Sequence, residues 1–258
     1  MKELNEGGPV AKELFDDWLE NVPSTVTDVP LFKERAGART VGIDALKKLL
    51  ADHFVGEEVV LKMGGYAKAA ETLKNSVPAN KRTRSGDLGE LIATEYVDEK
   101  TAFRVPIRKL RWKSDREMPM HGNDVIAIEV KGSSIRVLKG ESKSRVKFAA
   151  GVVDEAAKGL DGHDGRPNPS TLAFIAKRLY EANRDQEAKV FDTLQVDGAL
   201  QPKNVFHLIF ALAGTDPSKH LAGAPKAKST SIKRATAAVV IADHAAFIEV
   251  VYTNGTKP

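Results

Sequence analysis

Residues 124–143 constrain the fold more than any other stretch of the chain. An apolar run, Asp124-Val-Ile-Ala-Ile-Glu-Val130, is followed by a turn-type cluster, Lys131-Gly-Ser-Ser134, and then by Ile135-Arg-Val-Leu-Lys-Gly-Glu-Ser-Lys143. Folding back about Gly132 and Ser133 pairs Val130 with Ile135, Ile128 with Val137 and Asp124 with Glu141. One face of this hairpin is then apolar near the turn and carries Asp124, Glu141 and Lys143 at its far end. The reverse face pairs Ala127 with Leu138 and Glu129 with Arg136. A one-residue slip would send every side chain to the wrong face, so the register is internally consistent in only this form. It sets the Cβ atoms of Asp124 and Glu141 about 5 Å apart.

Two facing carboxylates beside an ammonium suit a divalent-cation site acting on phosphate esters. Mg²⁺ takes oxygen ligands at about 2.1 Å and keeps several waters. Asp124, Glu141 and the backbone carbonyl of Ser142 would supply half of such a shell, for Mg²⁺ or Mn²⁺. The cation polarises the scissile phosphate and acidifies a bound water. Lys143 can orient that water or offset charge on the phosphate oxygens. Glu129-Val-Lys131 has the same Glu-x-Lys form, but Glu129 lies five residues from Asp124 on one strand, an odd offset that puts the two acids on opposite faces. Glu129 is expected as a surface cross-strand partner.

A further acid, Glu90, comes from upstream. Residues 85–97 read as a helix with Ser85 as N-cap and an apolar stripe of Leu88, Leu91, Ile92 and Tyr96, while Gly86 and Gly89 permit close approach of another backbone. Glu90 lies off that stripe with Ala93 and Val97. From spacing alone it is either a third site acid or an ordinary carboxylate complementing the helix dipole.

The 258 residues suggest one or two domains, and the absence of cysteine excludes disulfides and thiolate zinc sites. No His-x-x-x-His pair occurs, and His207 inside an apolar run reads as a packed core histidine. His121 could touch a phosphate. Residues 223–229 look superficially like a phosphate-binding loop but lack its second glycine. No apolar run approaches the roughly 20 residues a bilayer demands, and the amino terminus carries no apolar signal segment, so the expectation is a soluble cytoplasmic protein with no membrane attachment. The net charge of +4 is unevenly spread: Lys and Arg outnumber Asp and Glu twelve to five in residues 101–150 and trail them ten to thirteen in residues 1–80. Arg104, Arg108, Lys109, Arg111, Lys139, Arg145 and Lys147 thus surround the acid set, as nucleic-acid contacts or as a solvated strand face.

Along the chain, residues 12–20, 43–53 and 66–75 read as helices and 59–62 as a short strand, giving a mostly helical N-terminal region over residues 1–80. Residues 78–84 read as a polar hinge, a linker or DNA-contacting loop, before a core over residues 81–258. A strand over 103–112, placed at an edge by Pro106, precedes the hairpin. Helices follow over 146–160 and 171–184, strands over 204–212 and 237–242 with a loop over 214–234 between them, and a last helix over 244–252. Helix, three-strand meander, helix, strand is the order of an α/β (α+β) mixed sheet of the restriction-endonuclease type.

Arg84-Ser-Gly-Asp-Leu-Gly-Glu90, Arg104-Val-Pro-Ile-Arg-Lys-Leu-Arg111, His121-Gly-Asn-Asp124 and Gly140-Glu-Ser-Lys143 together resemble the PD-(D/E)xK nuclease superfamily. More closely, they resemble the family containing the nuclease subunit of the Hachiman antiphage defence system. The resemblance covers residues 75–250, with its motifs within 84–145. It implies a bacterial, metal-dependent DNA nuclease acting with a helicase partner. By position, Glu90 is the helix acid, Asp124 the first metal aspartate, and Glu141 and Lys143 the Glu-x-Lys pair. Asp87 stands where relatives often carry another glutamate and is not counted as catalytic. A noncatalytic nucleic-acid-binding subunit that restrains the helicase is the alternative, and the gating of cutting by the partner is a further implication.

Overall fold

Six strands, β1 (Leu19–Val22), β2 (Leu31–Glu34), β3 (Val125–Lys131), β4 (Ser134–Arg145), β5 (Val205–Ala213) and β6 (Lys233–Val240), pair into one sheet in the order β1-β2-β6-β5-β4-β3. The two outer pairs, β1/β2 and β3/β4, are antiparallel, and the three inner pairings are parallel. The sheet is therefore mixed, as the α/β reading anticipated. This computed structural model describes residues 14–24, 26, 29–120, 122–132, 134–196 and 200–256. Ten α-helices accompany the strands among these residues: α1 (Leu14–Asp17), α2 (Arg39–Phe54), α3 (Glu57–Lys62), α4 (Tyr66–Ser76), α5 (Lys81–Lys100), α6 (Ala150–Asp161), α7 (Pro169–Glu181), α8 (Asp185–Leu194), α9 (Ser218–Ala222) and α10 (His244–Gly255). None is long and apolar enough to cross a membrane.

The central strand β5 is apolar almost without interruption because both of its faces are covered, the usual state of parallel strands. Leu208, Phe210 and Leu212 face a core shared with α2, α5 and α10. Ile209, Ala211 and Ala213 face the α6 side, while α7 and α8 close a third cluster over the turn-proximal part of the hairpin, with Ile126, Ile128 and Val137. The first eighty residues add β1 and β2 to this same sheet and Leu46, Leu50 and Trp18 to the same core. Trp18 stacks on Phe247 at 5.4 Å and lies against Gly42, where an added Cβ would come within 2.4 Å of the indole.

Helix α5 starts earlier than Ser85. Asn80 caps it, its side chain accepting hydrogen bonds from the Arg82 and Thr83 N–H groups, so the expected polar hinge is the first helical turn. Gly89 lets the helix approach β4, since a Cβ there would stand 3.1 Å from Ser142 Oγ and Ser144 Cβ; at Gly86 there is nothing within 4 Å.

Other local expectations fail for identifiable reasons. Residues 59–62 lie in α3, with Glu57 and Glu58 in its first turn. Residues 103–112 form no strand: Arg104 makes a single bridge to Ile128, the chain then passes Pro106, which has no N–H to continue a ladder, and Lys109–Trp112 close into a 3₁₀ turn. The three-strand meander is thus a two-strand hairpin. The helix read over 171–184 is α7, which stops at Glu181; Asn183 takes φ 58°, and the stretch toward Leu194 forms a separate helix, α8. Residues 18–20, expected to be helical, leave α1 and enter β1.

Candidate active site

The hairpin has the expected register, with Val125 opposite Gly140, Ile128 opposite Val137 and Val130 opposite Ile135. Asp124 is the residue immediately before β3, so it faces Glu141. The strand has ended there, and the Asp124 side chain takes its place: Oδ2 accepts a hydrogen bond from the Ser142 N–H at 2.8 Å. The N–H and C=O of a strand residue point to the same side, so the Ser142 carbonyl also faces Asp124. Ser142 Oγ, held under Gly89, is buried and makes no hydrogen bond.

Lys143 lies on the Glu141 face. Its Nζ donates to Glu141 Oε1 at 3.0 Å and to Glu155 Oε1, also at 3.0 Å. Glu155 belongs to α6, whose Gly159, one turn later, brings the helix against Glu141; a Cβ at Gly159 would sit 3.5 Å from the carboxyl carbon. Glu90 reaches the cluster from α5, only 13 % exposed and 3.5 Å from Lys109 Nζ. That ammonium also donates to the Asn123 carbonyl at 2.6 Å, next to Asp124. Behind it, Lys113 pairs with buried Asp87 at 2.7 Å.

Burial and crowding of like charge set the electrostatics. Glu90 is pushed up to about 8, first by burial and then by Asp124 and Asp87, against the pull of Lys109. Burial, followed by the charge of Asp124, pushes Glu141 up to about 7 in spite of Lys143. Both glutamates feel the charge of Asp124. Asp87 is raised to about 6 by burial, with Lys113 opposing. Burial pulls the Lys143 ammonium down, yet Glu141 and Glu155 outweigh it and the group ends above its ordinary value.

Among the described residues no three His, Cys, Asp or Glu side chains form a ready-made metal cage. A Mg²⁺ ion needs less than that, because one or two carboxylates with waters and substrate phosphate oxygens suffice. The donors here are all hard oxygens: the Asp124 and Glu141 carboxylates, the Ser142 carbonyl and Glu90. Burial and the charge of Asp124 raise Glu90 and Glu141 above the ordinary carboxylate range even beside Lys109 and Lys143, so further positive charge would be favourable here and the donor chemistry fits such an ion.

The basic residues expected around the acids divide into two groups. Lys139 is wholly buried, and its Nζ donates to the carbonyls of Leu160, Gly162 and Arg166; it is no surface contact, because the face it shares with Glu141 is roofed by α6 and the loop after it. Arg108 is held by Asp98 and Glu95, Arg104 by the carbonyls of Asp98, Thr101 and Phe103, and Arg111 by Glu58 with its guanidinium 4.0 Å from the Trp112 ring centroid. Lys109 is the counter-charge of Glu90. Arg145 and Lys147 remain exposed. Glu129 does pair with Arg136, at 2.7 Å, but is 6 % exposed and so is not a surface residue. His207 is a core histidine: Gly165 O lies 2.8 Å from Nε2, and burial lowers its pKa to about 4. His121 lies outside the described residues. Glu155 was missed, because only the tertiary contact between α6 and Lys143 brings it to the site.

The HamA family profile matches residues 12–254. A Hachiman protein HamA from Bacillus cereus is 30 % identical over 139 residues, an alignment spanning 54 % of this chain and 49 % of that protein. The chain thus matches about half the length of this relative.

Proposed function

The chain belongs to the HamA family, and from that premise we propose that it is a metal-dependent DNA nuclease, the effector of a Hachiman antiphage defence system that works beside a helicase partner. The observation that carries this reading is the convergence at one end of the hairpin: Asp124 fixed to the Ser142 N–H, Glu141 opposite it, and Lys143 bound to Glu141. Asp124, Glu141 and the Ser142 carbonyl would hold Mg²⁺ or Mn²⁺, with Glu90 as a further acid. When bound, the cation supplies Lewis acidity toward the phosphate and a more acidic water.

The remaining work falls to the chain. Asp124 keeps its orientation through the Ser142 N–H and cannot swing away from Glu141. Burial and the charge of Asp124 raise Glu90 and Glu141 above the ordinary carboxylate range, so added positive charge beside them would favour their ionised forms. Lys143, held by one carboxylate of the site and one outside it, presents an N–H to the phosphate oxygens or to the attacking water. As the water oxygen forms its bond to phosphorus, the bond to the leaving ester oxygen breaks, and the ammonium offsets the growing negative charge.

The test is incubation of the full chain, alone and with its cognate partner, with plasmid DNA in Mg²⁺ or EDTA. Cutting should require Mg²⁺ and vanish in Glu141→Ala and Lys143→Ala. Metal-independent cutting, or cutting retained in both variants, would refute the assignment. Intact DNA under every condition, with binding and partner inhibition preserved, would favour a noncatalytic restraint on the helicase.

A further inference from the structure

A cleft of about 600 Å³ opens between the first turn of α5, the exit of β4 and the first turn of α10. Lys81, Arg82, Arg84 and Arg145 line it, and Glu249 is its one acid. Arg84 is fixed in place: its guanidinium donates to Glu249 at 3.1 Å and to the Pro78 carbonyl at 2.8 Å, and it lies 5.2 Å from the Tyr252 ring centroid. Lys81, Arg82 and Arg145 have no acidic partner within 4 Å among the described residues. Their charges face solvent in a concave site, where a low-dielectric wall concentrates the field.

Backbone donors point the same way. The cleft receives the N-terminal ends of a 20-residue and a 12-residue helix, whose dipoles add positive potential. Asp243, at the start of α10, makes no side-chain capping bond, so no side chain takes up the first N–H groups of that helix. Ser85 Oγ is 2.8 Å from Ser144 Oγ, which is 2.9 Å from His244 Nε2. The other walls are Val146, Ala245, Ala246 and Ile248, with no aromatic ring on which a base could stack.

The cleft borders the end of β4 that carries Lys143. Ser144 and Arg145 directly follow Lys143 on β4, and Glu155, the second partner of Lys143, is held below the usual carboxylate range by Lys143 itself and further by Arg145 and Arg82. An anionic chain lying along Arg145 and Arg82 therefore runs toward Glu155 and the Lys143 ammonium that it holds.

We propose that this cleft binds the phosphate backbone of a nucleic-acid strand without reading its bases and delivers that strand to the acid cluster. The destination rests on the nuclease reading; the binding does not.

The test uses the full chain with Asp124→Ala and Glu141→Ala, in EDTA, so that no cutting intrudes. The probe is a fluorescein-labelled oligonucleotide, single-stranded or annealed, followed by anisotropy across a salt series. Replacing Lys81, Arg82 and Arg145 by Ala should weaken binding at least tenfold and reduce the slope of log affinity against log salt by about 2, at roughly 0.7–0.9 per lost phosphate contact. Arg82→Lys with Arg145→Lys should restore most of the affinity, and Lys189→Ala on α8 should leave it unchanged. Unfolding temperatures check that the variants stay folded. Affinity and slope equal to the parent, absence of nucleic-acid binding by the parent, or loss of an acidic protein partner with oligonucleotide affinity intact would each overturn the proposal. The two readings fail separately: a chain that cuts DNA but ignores the cleft substitutions keeps the nuclease and loses the cleft, and a chain that needs the cleft to bind but never cuts does the reverse.

Discussion

Lys139 and Lys143 lie on the same face of the same strand, one turn-side and one site-side, and their surroundings give them opposite characters. Lys139 is sealed under α6 and hydrogen-bonds only to neutral carbonyls, so burial outweighs the charges of Glu141 and Asp161 and its pKa falls to about 8. Lys143 meets two carboxylates, which hold its proton on. Neutral acceptors satisfy the geometry of an ammonium without compensating its charge. Position on the strand supplies the direction of a lysine; the chemistry of its neighbours decides whether it is a structural pin or a source of positive charge.

The comparison is broken most sharply by exchanging roles. Lys143→Met should reduce DNA cutting by about 10²–10³-fold, as removal of one preorganised donor typically does, while lowering unfolding stability by only about 1 kcal/mol. Denaturant unfolding run beside a cleavage time course measures both, and a stability loss matching the activity loss would erase the distinction. Lys139→Met should do the converse. Three buried carbonyls lose their donor, a destabilisation of about 3 kcal/mol, and the fraction that remains folded should cut at the parental rate.

A subtler effect concerns pH in the absence of divalent cations. Glu141 and Glu90 have folded pKa values raised to about 7 and about 8, so their contribution to stability is full below the ordinary glutamate value and disappears as pH rises through 7 and 8. Lys139 is depressed, so its contribution is present above the ordinary lysine value and is lost as pH falls through 8. Together they predict a stability minimum near pH 8. Glu141→Gln should flatten the acidic limb and Lys139→Met the alkaline one, and added Mg²⁺ should raise the unfolding temperature more at pH 8.5 than at pH 6. A Mg²⁺ effect that is the same at both pH values would contradict the linkage. The smallest effect is expected at Gly159. The 3.5 Å contact with Glu141 is ordinary, so Gly159→Ala should gain up to about 1 kcal/mol of helix stability with cutting unchanged, whereas Gly159→Leu should displace Glu141 and depress cutting.

The hairpin was legible because its turn, its apolar alternation and its opposite-charge pair all agree on one register. Strand β5 was legible from its length and β-rich composition. Which face of β4 is covered was not: alternation puts Lys139 and Glu141 on the same side but cannot say that α6 roofs one and borders the other. Glu155 and Lys109 enter the acid cluster through tertiary contacts that leave no mark on local spacing. Strands β1 and β2 were lost for a related reason. Each has four residues, and β2 is stabilised by a partner more than two hundred residues away. Asn80 was read as part of a hinge because its neighbours are polar, though it caps the helix that carries Glu90.

The placement of β6 between β2 and β5 has a consequence for biosynthesis. On the ribosome, Leu31 emerges long before Ala238, the residue it finally lies beside, so the early ribbon of β1 and β2 must wait with an open edge for a strand made about two hundred residues later. Contacts of such separation slow assembly and leave the unfinished chain prone to wrong pairing. The nascent polypeptide therefore carries all four proposed catalytic side chains well before it can lock the scaffold that aligns them.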